Sequence, residues 1–254
     1  MDIVNHTIDA SNVDRCGFFC YKSKPKSPGF REKRKWLDKT LQEGLRLKII
    51  YEGNRSNGFI EYVPGEYAWR AVHAPGYLVI HCMWVVGSSK GKGYGWRLLD
   101  QVLSEAENLG MHGVVLVTSS SNWLAPKGFF LHHGFEVVDY APPSFELLVR
   151  RFRSAPLPSF PNDWDNRLKR YPDGLVVYHC GQCPYHAMFI SSLANTANQL
   201  GLPFQAIELS SSWEARTLSP SAYGVFGVVY NGQLISYRPM GGKTLRQILE
   251  KPNG

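Results

Sequence analysis

The stretch Val85-Val86-Gly87-Ser88-Ser89-Lys90-Gly91-Lys92-Gly93-Tyr94-Gly95-Trp96-Arg97-Leu98-Leu99 constrains this chain more than any other. A long β-branched and aromatic run over residues 77–86 enters it and reads as a central strand. Leu98, Leu99, Val102, Leu103, Ala106 and Leu109 leave it on one helical stripe, with Gly110 as the stop. Glycines at alternate positions let the backbone approach a ligand closely. The first-turn amides of the helix point outward unpaired, and the helix dipole favours an anion there. With Lys90 and Lys92 beside them, a pyrophosphate fits this turn. The competing reading is a strand–helix turn that uses glycine merely for tight packing.

The rest of the chain reads as mixed α/β. Phe30, Trp36, Leu37 and Leu41 recur at helical spacing behind Ser27-Pro28-Gly29, which predicts an amphipathic helix from near Phe30 to near Gly44. Strands are expected at 47–51 and 59–63, separated by a turn-rich segment at 52–58. A buried strand at 114–118, a helix at 123–132 and closing strands at 135–138 and 145–150 follow the glycine turn. The prolines of Ser154-Ala155-Pro156-Leu157-Pro158-Ser159-Phe160-Pro161 cannot donate to a ladder, so residues 154–174 read as a linker. Beyond it come a strand (175–179), a helix (185–200) and a strand (205–209). Two further strands (225–230 and 233–237) flank Asn231-Gly232, the strongest short hairpin signal, and a last helix opens at Gly242-Lys243-Thr244. The expected domains are therefore 1–153 and 175–254.

Composition bounds the function. Apolar residues at 44% and charged residues at 19% exclude a disordered, collagen-like or coiled-coil chain. The net charge of +7 sits in no tail or block, so a phosphate-bearing small molecule explains it as readily as nucleic acid. No recognition helix or basic stripe is visible, and nucleic acid ranks last among partners. No apolar run approaches the roughly 18 residues of a membrane span, and the start lacks a basic, then apolar, signal sequence. A cytoplasmic protein with no membrane partner is expected; the sequence sets no oligomeric state. The five cysteines are odd in number and only Cys180 and Cys183 have CxxC spacing, which in a reducing compartment reads as redox or metal chemistry.

The glycine turn matches neither the Rossmann fingerprint nor the P-loop. Lys90-x-x-Gly93-x-Gly95 instead resembles the [Arg/Gln]-x-x-Gly-x-[Gly/Ala] signature of the GNAT superfamily of acetyl-CoA-dependent N-acyltransferases, with Lys90 in place of Arg or Gln. Asn122, followed by Phe130-Leu131-His132-His133-Gly134-Phe135-Glu136, is similar to that family's Asn…Tyr-x-x-x-Gly-Phe segment. The resemblance covers roughly residues 1–150 and implies a GNAT fold, a mixed, mostly antiparallel sheet with helices, and acetyl-CoA as cofactor. It implies that Trp84, Val85 and Val86 offer backbone groups to the pantetheine arm. Lys90, Gly91, Lys92, Gly93, Tyr94 and Gly95 would then hold the pyrophosphate, with Asn122 also at the cofactor. The implied reaction is direct acetyl transfer to an amine of a small molecule or peptide, without an acyl-enzyme.

Such a transfer needs a route for the amine's proton. His81 on the signature strand is the first choice of base because its ordinary pKa lies near neutrality, ahead of Glu61 on the preceding strand and Glu66 in the loop after it. A packed strand histidine is the other reading of His81. Where the family often has a tyrosine to protonate the leaving thiolate, counting back four residues from Gly134 reaches Phe130. Tyr140 or a water would substitute, or the thiolate leaves unassisted. Cys82 beside His81 suggests a Cys–His nucleophile, but strand alternation should send the two to opposite faces. Tyr62, Tyr67, Trp69, Tyr77 and Trp84 would line an acceptor pocket or pack as ordinary core. Cys16 and Cys20 read as incidental thiols.

Cys180-Gly181-Gln182-Cys183 lies between an apolar strand and a helix start, a position that stabilises a thiolate. Cys180 is expected to be the acidic, attacking thiol and Cys183 the resolving one. The order strand, CxxC, helix, strand and hairpin resembles a thioredoxin-like fold over residues 175–250, and the pairing of the two domains resembles a YoaP-like group of bacterial proteins. One feature departs: alignment through Asn231-Gly232 puts Gly224 where thioredoxin-like enzymes carry a cis-proline. Cys180, Cys183 and His186, with His179, are the alternative soft-metal ligands, and an inert relic is the third reading. The whole-chain alternative is a thiol–disulfide oxidoreductase or metal-binding protein with a degenerate CoA-binding domain.

Overall fold

The computed structural model describes residues 3–120 and 124–250. The chain forms two compact units. The first comprises Met1–Ser23, Asp38–Ala68 and Val72–Pro161, the second Lys24–Leu37, Trp69–Ala71 and Asn162–Gly254.

In the first unit a seven-stranded sheet is built from β1 (Ile3–Ile8), β2 (Arg46–Glu52), β3 (Arg55–Pro64), β4 (Leu78–Val85), β5 (Gly113–Ser119), β6 (Glu136–Ala141) and β7 (Phe145–Arg151), in the order β1-β2-β3-β4-β5-β7-β6. All neighbours are antiparallel except β4 and β5. The helices are α1 (Val13–Cys16), α2 (Pro28–Thr40), which contributes to both units, α3 (Tyr94–Asn108) and α4 (Lys127–His132). The stripe predicted for α3 is its buried face except at Leu109, which follows the helix end and is exposed: Leu98, Leu99, Val102, Leu103 and Ala106 pack on Ile60, Tyr62, Leu78, Ile80, Val114, Leu116 and Leu148 of the sheet. This burial fixes the start of α3, and so the glycine turn, against the end of β4.

Three elements differ from expectation. β1 carries no alternation because it is a sheet edge whose residues 4–7 are exposed. α2 stops at Thr40, where the Leu45 amide closes onto the Thr40 carbonyl at 3.0 Å and Gly44 turns the chain at φ +92°. β3 begins at Arg55, so most of the expected turn at 52–58 is strand: polar Asn57 is buried within it and Gly58 passes close under Trp84.

The second unit contains α5 (Trp164–Leu168), β8 (Leu175–His179), α6 (His186–Gln199), β9 (Phe204–Glu208), α7 (Ser212–Thr217), β10 (Phe226–Tyr230), β11 (Gln233–Ser236) and α8 (Gly242–Leu249). Its sheet order is β11-β10-β8-β9, with β8 and β9 parallel across α6 and the other pairs antiparallel. Asn231 (φ 47°) and Gly232 (φ 74°) form the two-residue turn that the dipeptide predicts. The stretch expected as a linker is hydrogen-bonded on both sides of Pro161. Within the first unit, Ser159 exchanges two backbone bonds with His73 and Pro156 accepts from the Tyr77 hydroxyl. In the second, buried Arg167 of α5 donates to Asp163 and to the carbonyls of Arg216 and Ser219. Among the described residues no helix is long and apolar enough to cross a membrane.

Candidate active site

β4 pairs with β5 only through Leu78, Val79 and Ile80, opposite Val114, Val115 and Leu116. Past Ile80 the two strands part, although both continue, so the β5 side of residues 81–85 is an open strand edge. The parting coincides with a β-bulge: on β3, Glu61 faces Cys82 and Tyr62 faces Ile80, leaving His81 as the extra residue. Ile80 belongs to the core under α3, and Met83 and Val85 pack against it. The bulge therefore shifts the parity of the strand, and His81 and Cys82 share the face away from α3 with Glu61. The alternation expected to separate His81 from Cys82 is broken at that position.

The turn that follows is braced from β3. The Val86 amide donates to the Asn57 carbonyl at 2.9 Å, the Ser89 hydroxyl donates to Asn57 Oδ1 at 2.8 Å, and the Asn57 side-chain amide donates to the Arg55 carbonyl. Arg55 in turn donates to the Ser88 hydroxyl. Val86 also accepts from the Ser89 amide, so both its backbone groups are engaged, one with β3 and one within the turn. Gly91 (φ +80°) and Gly93 (φ +77°) take the left-handed conformation that favours glycine, and a Cβ on either would meet open space. The first helical bond of α3 runs from Arg97 to Gly93, so the amides of Tyr94, Gly95 and Trp96 precede it and have no intrahelical acceptor.

A cleft of about 810 Å³ opens between this turn, the parted end of β4 and the region of α4. Of the residues named for the cofactor, Trp84, Val85, Lys90, Gly91, Gly93, Tyr94 and Gly95 line it, and Val86 and Lys92 do not. Lys90 lies with its ammonium 5.1 Å over the Trp84 ring, while Lys92 is exposed and 3.8 Å from Glu52. Asn122 lies outside the described residues. The opposite wall is formed by Ala125, Pro126, Phe129, His132 and His133, none of them among the site residues expected from the sequence. His133 stacks on Trp96 at 4.3 Å, and burial, His132 and Arg150 hold its pKa below the ordinary imidazole value. The paired histidines ahead of Gly134-Phe135 were the available signal.

The expected proton-handling residues separate. Glu61 and His81 are buried together, with His81 Nδ1 3.8 Å from Glu61 Oε1, where β4 leaves β5. Glu66 instead accepts the Gly76 amide at 2.8 Å, which staples the β3–β4 connection. Tyr140 is 70% exposed on β6, the far edge of the sheet, and does not line the cleft. Phe130 is fully buried in the core under α3. Of the aromatic group, Tyr62 belongs to the same core and its hydroxyl donates to Glu105.

In the second unit Cys180 is buried and Cys183 half-buried, and no disulfide joins the five cysteines. Burial pushes the Cys180 thiol up to about 12, against the helix-start argument that makes it acidic. His186 is fully buried, with Nδ1 3.3 Å from the Cys180 carbonyl, its ring 4.8 Å from that of Phe226, and its pKa lowered to about 3 by burial. Among the described residues no group of three or more His, Cys, Asp or Glu is placed to hold a metal ion. Gly224 (φ +79°) has a direct reason to be glycine: a Cβ there would lie 2.5 Å from the Trp69 carbonyl and 2.8 Å from the Arg70 Cα.

The acetyltransferase (GNAT) family model matches residues 15–135. The chain is similar to the uncharacterized N-acetyltransferase YoaP of Bacillus subtilis strain 168, at 32% identity over 221 residues that cover 86% of each chain. It is also similar to the L-methionine sulfoximine/L-methionine sulfone acetyltransferase of Salmonella typhimurium, at 32% identity over 119 residues, 42% of this chain and 67% of that one. The crystal structure of PaiA N-acetyltransferase from Thermoplasma acidophilum in complex with coenzyme A aligns over 60% of this chain and all of its own, at 14% identity and a TM-score of 0.43.

Proposed function

Because this chain belongs to the GNAT family of acetyltransferases, we propose that it transfers acetyl from acetyl-CoA directly to an amine of a small molecule or peptide. The observation that carries this reading is the parted β4 edge running into a turn whose glycines face open space beside unpaired first-turn amides. Open backbone donors at a helix start suit a pyrophosphate, and a free strand edge suits an amide-bearing arm. Trp84 and Val85 would bind the arm, and Lys90, Gly91, Gly93 and Gly95 the phosphates. Glu61 and His81, at the point of parting, would take the amine's proton through water. Tyr140 stands apart from the cleft, so water meets the leaving thiolate or it departs unassisted, as its modest basicity permits. The relative that acts on L-methionine sulfoximine favours a small amino-acid-like acceptor.

We read the second unit as thioredoxin-like. In its favour are a parallel pair linked by a helix, an antiparallel hairpin, and a CxxC ahead of that helix. Its role would be redox sensing or thiol handling. Isothermal titration should give saturable binding of acetyl-CoA and CoA, and a panel of amines should yield one that releases free CoA. Absence of binding to either nucleotide would remove the transferase reading.

A further inference from the structure

Resting on the thiol-handling reading of the second unit, we infer that its dithiol works in reverse order: Cys183 is the entry thiol for a small-molecule disulfide, and Cys180 is the buried resolving thiol. Thiol–disulfide exchange is an in-line attack, so the entering thiol must be reachable along the axis of the incoming sulfur–sulfur bond. The resolving thiol needs to reach only its own neighbour.

The second unit closes around Cys180. Its residue is 1% exposed and its amide donates to the Val225 carbonyl at 3.1 Å. The next residue, Gly181, is pressed against α2, where a Cβ would lie 2.6 Å from the Glu32 carbonyl and 2.8 Å from Trp36 Cβ. Gln182 is buried, and its backbone amide hydrogen-bonds the Cys180 sulfur. Over it lies Arg70, 2% exposed, donating to Gln182 Oε1 at 3.3 Å and to the Tyr223 carbonyl at 2.9 Å. Cys183 is half-buried and lies beside exposed Tyr185, at the turn whose carbonyl accepts the His186 amide as α6 begins. A disulfide approaching from solvent meets Cys183.

The chemistry balances with the small disulfide as the oxidant. The Cys183 thiolate attacks one sulfur, the disulfide bond breaks, and one small thiolate leaves. Cys180 then gives its proton to the thiolate just released as its sulfur attacks the Cys183 sulfur, the internal disulfide forms, and the second small thiolate leaves. Both cysteine protons end on the two released thiols.

Oxidised glutathione incubated with the full chain tests this, with adducts located by peptide mass spectrometry. Cys180→Ser should trap a stable mixed disulfide on Cys183, and Cys183→Ser should give no adduct on Cys180. Brief N-ethylmaleimide labelling of the unmodified chain, which does not depend on a variant folding, should modify Cys183 at least about tenfold faster than Cys180. An adduct on Cys180 in Cys183→Ser with none on Cys183 in Cys180→Ser, or faster labelling of Cys180, overturns the order while leaving a thiol-handling unit. If no protein form gains an adduct on, or a disulfide between, these two cysteines, the order and the thiol-handling reading fall together.

Discussion

Glu61 and His81 are two buried polar residues in the interior of a sheet, where polar groups are ordinarily hydrogen-bonded, yet His81 Nδ1 stands 3.8 Å from Glu61 Oε1, beyond hydrogen-bond reach. They lie at the bulge, beside the point where β4 leaves β5, but neither lines the cleft, so as proton acceptors they would have to be reached from it through water. If they share that role, Glu61→Gln and His81→Gln each lower kcat by about 10²–10⁴-fold and leave the affinity for acetyl-CoA near that of the parent. Steady-state kinetics with titrated CoA affinity checks this; a rise in the dissociation constant with kcat unmoved would assign the pair to packing. Gly224 is a residue whose identity the fold dictates. Gly224→Ala forces a left-handed alanine against the Trp69 carbonyl, so the second unit should lose at least about 2 kcal/mol in urea unfolding.

At the scale of elements, the cleft depends on how β3 braces the turn between β4 and α3. Asn57 holds that turn through a backbone and a side-chain bond, and Ser89 is 2% exposed, so removing the acceptor strands a buried hydroxyl. Asn57→Ala should therefore raise KM for acetyl-CoA several-fold with little change in kcat, the signature of a loosened binding turn rather than lost chemistry. The strand, turn and helix around Gly93 were legible in the sequence because glycine spacing and the α3 stripe are local patterns. Asn57 was not, since it reads as an ordinary turn residue and gains its role only from the β3–β4 register. The bulge at His81 was equally silent: parity along one strand is set by its neighbour's pairing, and the sequence alone implies strict alternation. His132 and His133 stood in plain view, but only the cleft gives them a use.

At the scale of the whole molecule, the burial that closes the second unit also sets the pH range over which it stays folded. His186 has its pKa lowered from 6.5 to about 3, so below pH 6.5 the unfolded chain takes up a proton that the folded unit refuses. Stability from this group is complete above pH 6.5 and declines on acidification toward pH 3, with a limiting slope of about 1.4 kcal/mol per pH unit. Cys180 acts in the opposite sense. Its pKa is raised from 9.0 to about 12, so above pH 9 the unfolded chain releases a proton that the folded unit keeps, and stability declines as pH rises. These two groups predict a plateau from about pH 6.5 to 9; His179, whose pKa burial also lowers, adds to the acid limb, and Tyr178, raised to about 12, adds to the alkaline one. Urea midpoints read by hydrogen exchange in peptides spanning β8 and β10 report on this unit in the intact chain. His186→Phe, which keeps a ring against Phe226, should make the acid limb shallower and leave the alkaline limb, and Cys180→Ala should do the converse. An acid limb that persists unchanged in His186→Phe would mean that His179 or carboxylates elsewhere in the unit govern its acid lability.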